Sequence, residues 1–311
     1  MSEELDLIEM EDAEGGTFQL KVERYFYYNG DEYVLLSDDI PSKPEDKEIS
    51  HYVMKVVPLE EEGEDMEEKR EILVYLAPHQ DDELTNLGVD LLRETAAGKE
   101  VWCLLCTDGS SSAVRKDLEN GKECLLHPGR HVFSMDRAAF SRARDREWRE
   151  SLLALGLSSE RAVIAPERAV DGELTREKAK EIVLDFLTSH PAVSVTLKTI
   201  LPVKDRPQHP DHANLGLAAE DLFREGKADA LELFYEPILC MERRPGEEGL
   251  IRIEPGNGEE RSRILKAAAA YAKWDPEEGF FAIGYHSVKN EFDAFTADPH
   301  CLKKRMGRDA R

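Results

Sequence analysis

No apolar run in the chain approaches the ~20 residues needed to cross a bilayer, and its first residues are acidic where a secretory signal would be basic and then apolar. These absences predict a soluble, cytoplasmic protein without a membrane partner. Cysteine is scarce. Cys103, Cys106, Cys124, Cys240 and Cys301 are odd in number and have no framework spacing, which fits a reducing compartment. Cys103 and Cys106 do form a Cys-x-x-Cys pair, but they lie in the apolar run Val101–Cys106, where they read as buried strand residues rather than a redox or zinc pair. Positive charge is the third shortage. With 41 Lys and Arg against 65 Asp and Glu, the net charge of −24 would repel a nucleic-acid backbone or an anionic membrane.

What is present is 311 residues, 41% of them hydrophobic, enough for a substantial core and for two domains. The acidity is uneven: residues 1–70 carry 22 acidic and 7 basic side chains, the remainder 43 and 34. A small acidic domain over 1–66 and a larger domain over 67–311 follow from that shift.

In the first segment Phe18, Leu20 and Val22 alternate with polar residues, and Tyr25–Tyr28 leads into Asn29-Gly30, a favoured hairpin turn. Residues 32–36 would return, 37–49 form a loop, and 51–59 resume an apolar strand. Residues 60–68 make an acidic, extended linker. The unit therefore reads as all-β. Through residues 6–12 (Asp-Leu-Ile-Glu-Met-Glu-Asp), Tyr33–Leu36 and Tyr52–Val57 it resembles the YrzB-like acidic domain of unknown function. That resemblance implies an accessory or regulatory module, open to a protein partner.

From residue 71 strands alternate with helical periods, the signature of an α/β fold. Strands are predicted over 72–77, 101–107, 162–165, 193–201, 231–239 and 250–253, and helices over 84–97, 137–155, 175–187, 213–223 and 261–274. The expected architecture is a Rossmann-like, mostly parallel sheet with helices on both faces, preceded by the small all-β acidic domain. Residues 110–135 have no sustained period and are too long for an ordinary βα connection. With His127, His131, Arg115, Lys116, Lys122, Arg130 and Arg137, the insertion reads either as a basic lid or as a solvated loop. His286, after the apolar 280–283 run, reads as a packed or surface histidine.

Two segments carry chemistry. Pro78-His79-Gln80-Asp81-Asp82-Glu83 sits where an apolar strand stops, and His209-Pro210-Asp211-His212 follows a later strand. In a parallel sheet such loops converge at the carboxyl ends of the strands. His79, Asp82 and His212 offer two imidazoles and a carboxylate, a common ligand set for catalytic zinc. Asp81 and His209 lie beside them with no role fixed. Adjacent aspartates at a strand end also serve as helix caps.

The core resembles the PIG-L/LmbE-like family of metal-dependent deacetylases. Its first motif stands as Pro78–Glu83, its second is complete as His209–His212, and Arg144-x-x-Glu147 with Leu155-Gly156 matches the helix between them. The resemblance spans about 71–270. Gln80 departs from the family's usual proline, and the long insertion departs from the family pattern. The resemblance implies that His79, Asp82 and His212 hold Zn²⁺ or another first-row divalent metal. It further implies that Asp81 is the general base, that His209 polarises or protonates the amide, and that Asp211 fixes the His209 tautomer. The substrate would be an N-acetylglucosaminyl or related N-acylated small molecule. Alternatives are a metal-containing carbohydrate- or protein-binding module without turnover, or a metal-dependent phosphoesterase. Three further residues have open readings. Arg144 is a candidate for substrate binding or, with Glu83 or Glu147, for a structural ion pair; Asp108 for sugar hydroxyls or a turn; Lys198 for the pocket or an edge position.

Overall fold

Leu20, Val34 and Leu36 form the buried hydrophobic cluster, among the described residues, of a four-stranded antiparallel sheet built from β1 (Leu7–Glu11), β2 (Thr17–Tyr28), β3 (Asp31–Ser37) and β4 (His51–Lys55), paired in that order. The computed structural model describes residues 7–11, 16–28, 31–40, 48–56, 70–124, 126–203, 207–236 and 249–307. The Asn29-Gly30 turn and the 60–68 linker lie outside them. Within the chain Met1–Met66 forms one unit and Glu67–Arg311 another. In the first, β1 is a strand that the acidic composition of residues 7–11 disguises, and it pairs Leu7–Glu11 against Lys21–Thr17.

The second unit is organised on a seven-stranded sheet. Five strands run parallel: β5 (Glu71–Ala77), β6 (Glu100–Thr107), β9 (Ala162–Ala169), β10 (Ser194–Ile200) and β11 (Ala230–Phe234). Their order is β9-β6-β5-β10-β11, continued by the antiparallel β15 (Cys301–Arg305) and β12 (Ile251–Ile253). β5 is central and apolar along its length because both its faces are covered. Leu73, Tyr75 and Ala77 join one core with α2 (Gly88–Ala96), α4 (Arg137–Leu155) and α7 (Gly258–Ala272). Ile72, Val74 and Leu76 join the other with α5 (Arg176–Ser189) and α6 (Pro210–Arg224). Each such fully buried aliphatic or aromatic side chain stabilises the fold by about 1.5–3 kcal/mol.

The chain leaves β5 outward through β6 and β9, then returns to place β10 on the other side of β5 and continues to β11. The carboxyl ends of β5 and β10 therefore flank the point where the winding reverses, and a crevice opens there. Both chemical motifs start from these two ends.

Local differences from expectation cluster at that crevice. The helix predicted over 84–97 is split into α1 (Asp82–Thr85) and α2. Asn86, at the break, donates through Nδ2 to Asp82 Oδ1 at 2.9 Å, so the short first helix fixes a site carboxylate. α6 begins at Pro210 rather than 213. His209 caps it by accepting from the Asp211 N–H, and a proline suits the first helical position because its missing donor would be unpaired there anyway. The 110–135 stretch contains α3 (Val114–Asn120) and a small hairpin of β7 (Lys122–Glu123) and β8 (Arg130–His131). After α7 come a second hairpin, β13 (Trp274–Asp275) with β14 (Phe280–Phe281), then α8 (Ile283–Ser287) and α9 (Lys289–Ala297).

Candidate metal and active site

β5 ends at Ala77, and the next turn buries His79, Gln80, Asp81, Asp82 and Glu83 in succession, none more than 7% exposed. Burial of so many polar groups requires a partner for each. His79 Nδ1 lies 3.0 Å from His212 Nε2 and 3.2 Å from Asp82 Oδ2, and His212 Nε2 lies 3.2 Å from the same Asp82 oxygen. Three donor atoms thus form a nearly equilateral triangle.

The far side of each ligand is held. His79 Nε2 is 3.0 Å from Asp211 Oδ2 and 3.2 Å from Asp171 Oδ1, and His212 Nδ1 is 2.6 Å from Glu236 Oε1. An ionised carboxylate only accepts, so these outer nitrogens carry the ring protons. The inner Nδ1 of His79 and Nε2 of His212 then present lone pairs to each other and to a carboxylate oxygen. Such an arrangement is repulsive without a cation. Ligands at about 2.05 Å from a tetrahedral centre stand about 3.3 Å apart, close to the observed edges. Carboxylate-to-imidazole contacts of this kind are the usual support of metal ligands. The residues fit a divalent metal. Without one, burial opposes a proton on His212, but Asp82 and Glu236 raise its pKa to about 9.

Asp81 adopts φ 123°, a region that residues with a side chain rarely enter, and such strain is concentrated at functional sites. Its carboxylate turns to Arg144, whose Nη2 donates to Asp81 Oδ2 at 3.0 Å and to the Gln80 carbonyl at 2.7 Å, while Nη1 donates to the Gly109 carbonyl at 3.0 Å. Burial drives the Asp81 pKa up to about 7 against the pull of Arg144. Gly109 has φ +61°, and a Cβ there would come within 2.1 Å of Gln80 Oε1 and 2.7 Å of Arg144 Nη1, so glycine lets this support pack. Gln80 replaces the rigidity of a proline with hydrogen bonds: its Nε2 donates to Asp145 Oδ1 at 2.7 Å and to the Asp108 carbonyl at 3.2 Å.

His209 is the most open of the three site histidines, its side chain 41% exposed, with its ring edge-on to His79 at 4.5 Å. Its Nδ1 accepts the Asp211 backbone N–H at 3.3 Å, which leaves the proton on Nε2. That nitrogen is 3.8 Å from Asp171 Oδ1. Burial and the neighbouring His79 and His212 rings hold the His209 pKa below the ordinary histidine range.

Several expected roles are corrected by this geometry. Asp211 is 3.8 Å from His209 Nδ1 but 3.0 Å from His79 Nε2, so it orients His79 rather than His209. It also accepts the Gly172 and Leu174 N–H groups at 2.7 and 3.0 Å, tying the β9 loop to the site. Asp108 accepts from the N–H groups of Ser110 and Asp171, both at 3.0 Å, and so makes a turn that positions Asp171. Lys198 is drawn away from the pocket: its ammonium bonds Asp90, Glu94 and Glu232 at 2.6, 3.0 and 3.0 Å inside the sheet-helix core. Arg144 lines the cavity but spends its hydrogen bonds on the Gln80–Asp81 turn and the Gly109 carbonyl. Arg144 makes its ion pair with Asp81 rather than with Glu83 or Glu147; Glu83 accepts from Ser151 Oγ, Tyr271 Oη and the Asp81 N–H, and burial pushes it up to about 8. Glu147 instead caps α8 through the Ile283 and Gly284 N–H groups.

Asp171, Glu236 and Glu291 were not singled out from the sequence. Asp171 follows β9 and Glu236 follows β11, so the missed signal is their place just beyond parallel strands. Glu291, on α9, comes from the irregular C-terminal region, and burial with the Asp81 and Asp82 charges raises its pKa to about 7. These residues complete a cavity of about 300 Å³ with His79, Asp81, Asp82, Arg144, His209 and His212 on its walls.

The fold places a candidate metal pocket at the switch point of a parallel sheet. Residues 74–223 match the family model of PIG-L, GlcNAc-PI de-N-acetylase. These residues are a PIG-L family domain, the domain of deacetylase-type hydrolases. Among solved structures the chain is similar to the A40926 pseudoaglycone deacetylase, with 18% identity, TM-score 0.52 and coverage of 78% of this chain and 100% of that one. It is also similar to a triple mutant of a deacetylase of the teicoplanin biosynthetic pathway, with 16% identity, TM-score 0.50 and coverage of 77% and 99%. At these identities the likeness is one of fold. No curated protein matches the chain by sequence.

Proposed function

We propose that this protein is a zinc-dependent N-deacetylase that hydrolyses an N-acyl group on an N-acetylglucosaminyl or related small molecule. The observation that carries the reading is the triangle of His79 Nδ1, Asp82 Oδ2 and His212 Nε2, each ligand braced from behind by a carboxylate or amide. The PIG-L match over 74–223 supports the acyl-transfer chemistry. Zn²⁺ suits two imidazoles and one carboxylate, as do its first-row neighbours.

A bound divalent metal would supply Lewis acidity towards water and the acyl carbonyl. Asp81, facing the cavity and anchored by Arg144, takes a proton from the attacking water as its oxygen bonds to the acyl carbon. His209, with its proton on the nitrogen that faces Asp171, donates a hydrogen bond to the oxyanion, and the proton that Asp81 took from the water passes to the departing amine as the carbon–nitrogen bond breaks. The products are a carboxylate and a free amine. Asp171, Glu236 and Glu291 make the cavity acidic, which favours a neutral or amino-bearing sugar over a phosphate at the reacting end.

We assign the Met1–Met66 unit as an accessory domain that docks a protein partner, and the remainder as the catalytic domain, acting in the cytoplasm. The test of the central reading is acetate release from a panel of N-acetyl sugars by zinc-loaded protein. Release that disappears in Asp81→Ala with zinc retained is the expected result. Zinc loss in that variant would reverse the assignment of the two aspartates, and no release from any substrate would remove the substrate class.

A further inference from the structure

A second group of metal-type donors lies outside the reaction cavity. Cys124 and His127 follow β7 in the hairpin loop, His131 ends that hairpin in β8, paired with Lys122, and His286 stands on α8. Donor atoms of Cys124, His131 and His286 all lie within 4.8 Å of one another. His127 Nδ1 is 3.4 Å from Cys124 Sγ, and His286 Nε2 is 3.3 Å from His131 Nδ1.

Those separations are informative. Around a tetrahedral zinc with sulfur at about 2.3 Å and nitrogen at about 2.05 Å, a sulfur and a nitrogen ligand stand about 3.6 Å apart and two nitrogens about 3.3 Å. The sequence Cys124-x-x-His127-x-x-x-His131 also has the short pair spacings of structural zinc sites. His131 is held in place independently of any ion: the residue is 2% exposed, and its ring stacks on Trp274 at 3.6 Å and 11°, with Nδ1 turned toward His286 Nε2.

We propose that Cys124, His127, His131 and His286 hold a structural zinc ion distinct from the metal of the reaction centre. Four protein donors close the coordination sphere, so this ion has no position for water or substrate. Its role is a clip between the insertion and the C-terminal helices. The residue after His286, Ser287, bonds Ser112 through their hydroxyls at 3.1 Å and lines the reaction cavity with Val288 and Glu291. The clip therefore fixes one wall of that cavity to the 110–136 insertion.

Cobalt substitution of the full-length protein tests this, because sulfur is a donor at this site alone; the triangle has only nitrogen and oxygen. Wild-type protein loaded with Co²⁺ should show a thiolate-to-cobalt charge-transfer band, lost in Cys124→Ser and kept in the His79→Ala/His212→Ala double variant. Elemental analysis of zinc-loaded protein should find two metals per chain, falling to one in either Cys124→Ser/His286→Ala or His79→Ala/His212→Ala. The wild-type spectrum decides the matter even where a variant fails to fold. Absence of the thiolate band from cobalt-loaded wild type, or a single zinc that vanishes entirely with His79 and His212, overturns the proposal.

Discussion

Asp81 and Asp82 are neighbours in sequence and opposite in task. Asp82 turns an oxygen to His79 and His212, and its pKa is held far below the usual carboxylate range by those imidazoles despite burial. Asp81, turned the other way by its positive φ, meets Arg144. Asp81→Asn keeps the size and the Arg144 contact on one oxygen but removes the base, so kcat should fall by about 10²–10⁴ while metal content, measured on the same sample, stays constant. The bracing carboxylates act on affinity instead. Glu236→Gln or Asp211→Asn should weaken metal binding by roughly 10–100-fold, read as a shift in a competitive chelator titration. The two motifs made His79, Asp81, Asp82, His209 and His212 legible in the sequence. Asp171, Glu236 and Glu291 were not, because a carboxylate becomes a site residue through where its strand or helix ends, and Glu236 falls inside the strand predicted over 231–239 whereas β11 ends at Phe234. Asp211 was legible as a member of the motif but not as the partner of His79, since both contacts are open to a residue two positions from His209.

At the scale of elements, β10 carries a lysine through the interior. Lys198 lies beside Tyr75 of β5 in register, and with Lys303 of β15 it surrounds Asp90 of α2. Three carboxylates and two ammonium groups satisfy each other there, and a residue read as a possible pocket contact is a cross-brace between helix and sheet. Asp90→Ala would leave two buried cations short of a partner and should cost about 3–5 kcal/mol, seen as a lower midpoint in urea. The pH dependence has a definite sign. Burial opposes the charge on Asp90, but Lys198 and Lys303 depress its pKa below the ordinary 3.8, so its contribution is fully present above that value and is lost as pH falls through the depressed range. An acid titration of wild type against Asp90→Asn, followed by circular dichroism, should show the two curves converging only at low pH. The strands and long helices were readable because burial on both faces writes continuous apolar runs and burial on one face writes a helical period. The insertion and the C-terminal helices were not, since short elements held by caps such as Glu147 and by aromatic stacking leave no period.

The whole molecule divides into an acidic antiparallel sheet and an α/β unit, each with its own buried cluster. Protein lacking residues 1–66 should therefore retain turnover on a small N-acetyl sugar within a few-fold, and a kcat lowered by orders of magnitude would show that the acidic unit contributes to the reaction. The switch point of the sheet has one more consequence, for the time course of folding. His79 and His212 stand 133 positions apart in the chain and become neighbours only when β10 pairs with β5. Non-local strand pairing of this kind is slow compared with helix formation. The donor triangle is therefore absent from any chain in which β10 has not yet joined β5, and capture of a metal by those three residues reports that pairing. In refolding monitored by a metal indicator and by far-ultraviolet circular dichroism together, uptake at the triangle should lag the helical signal.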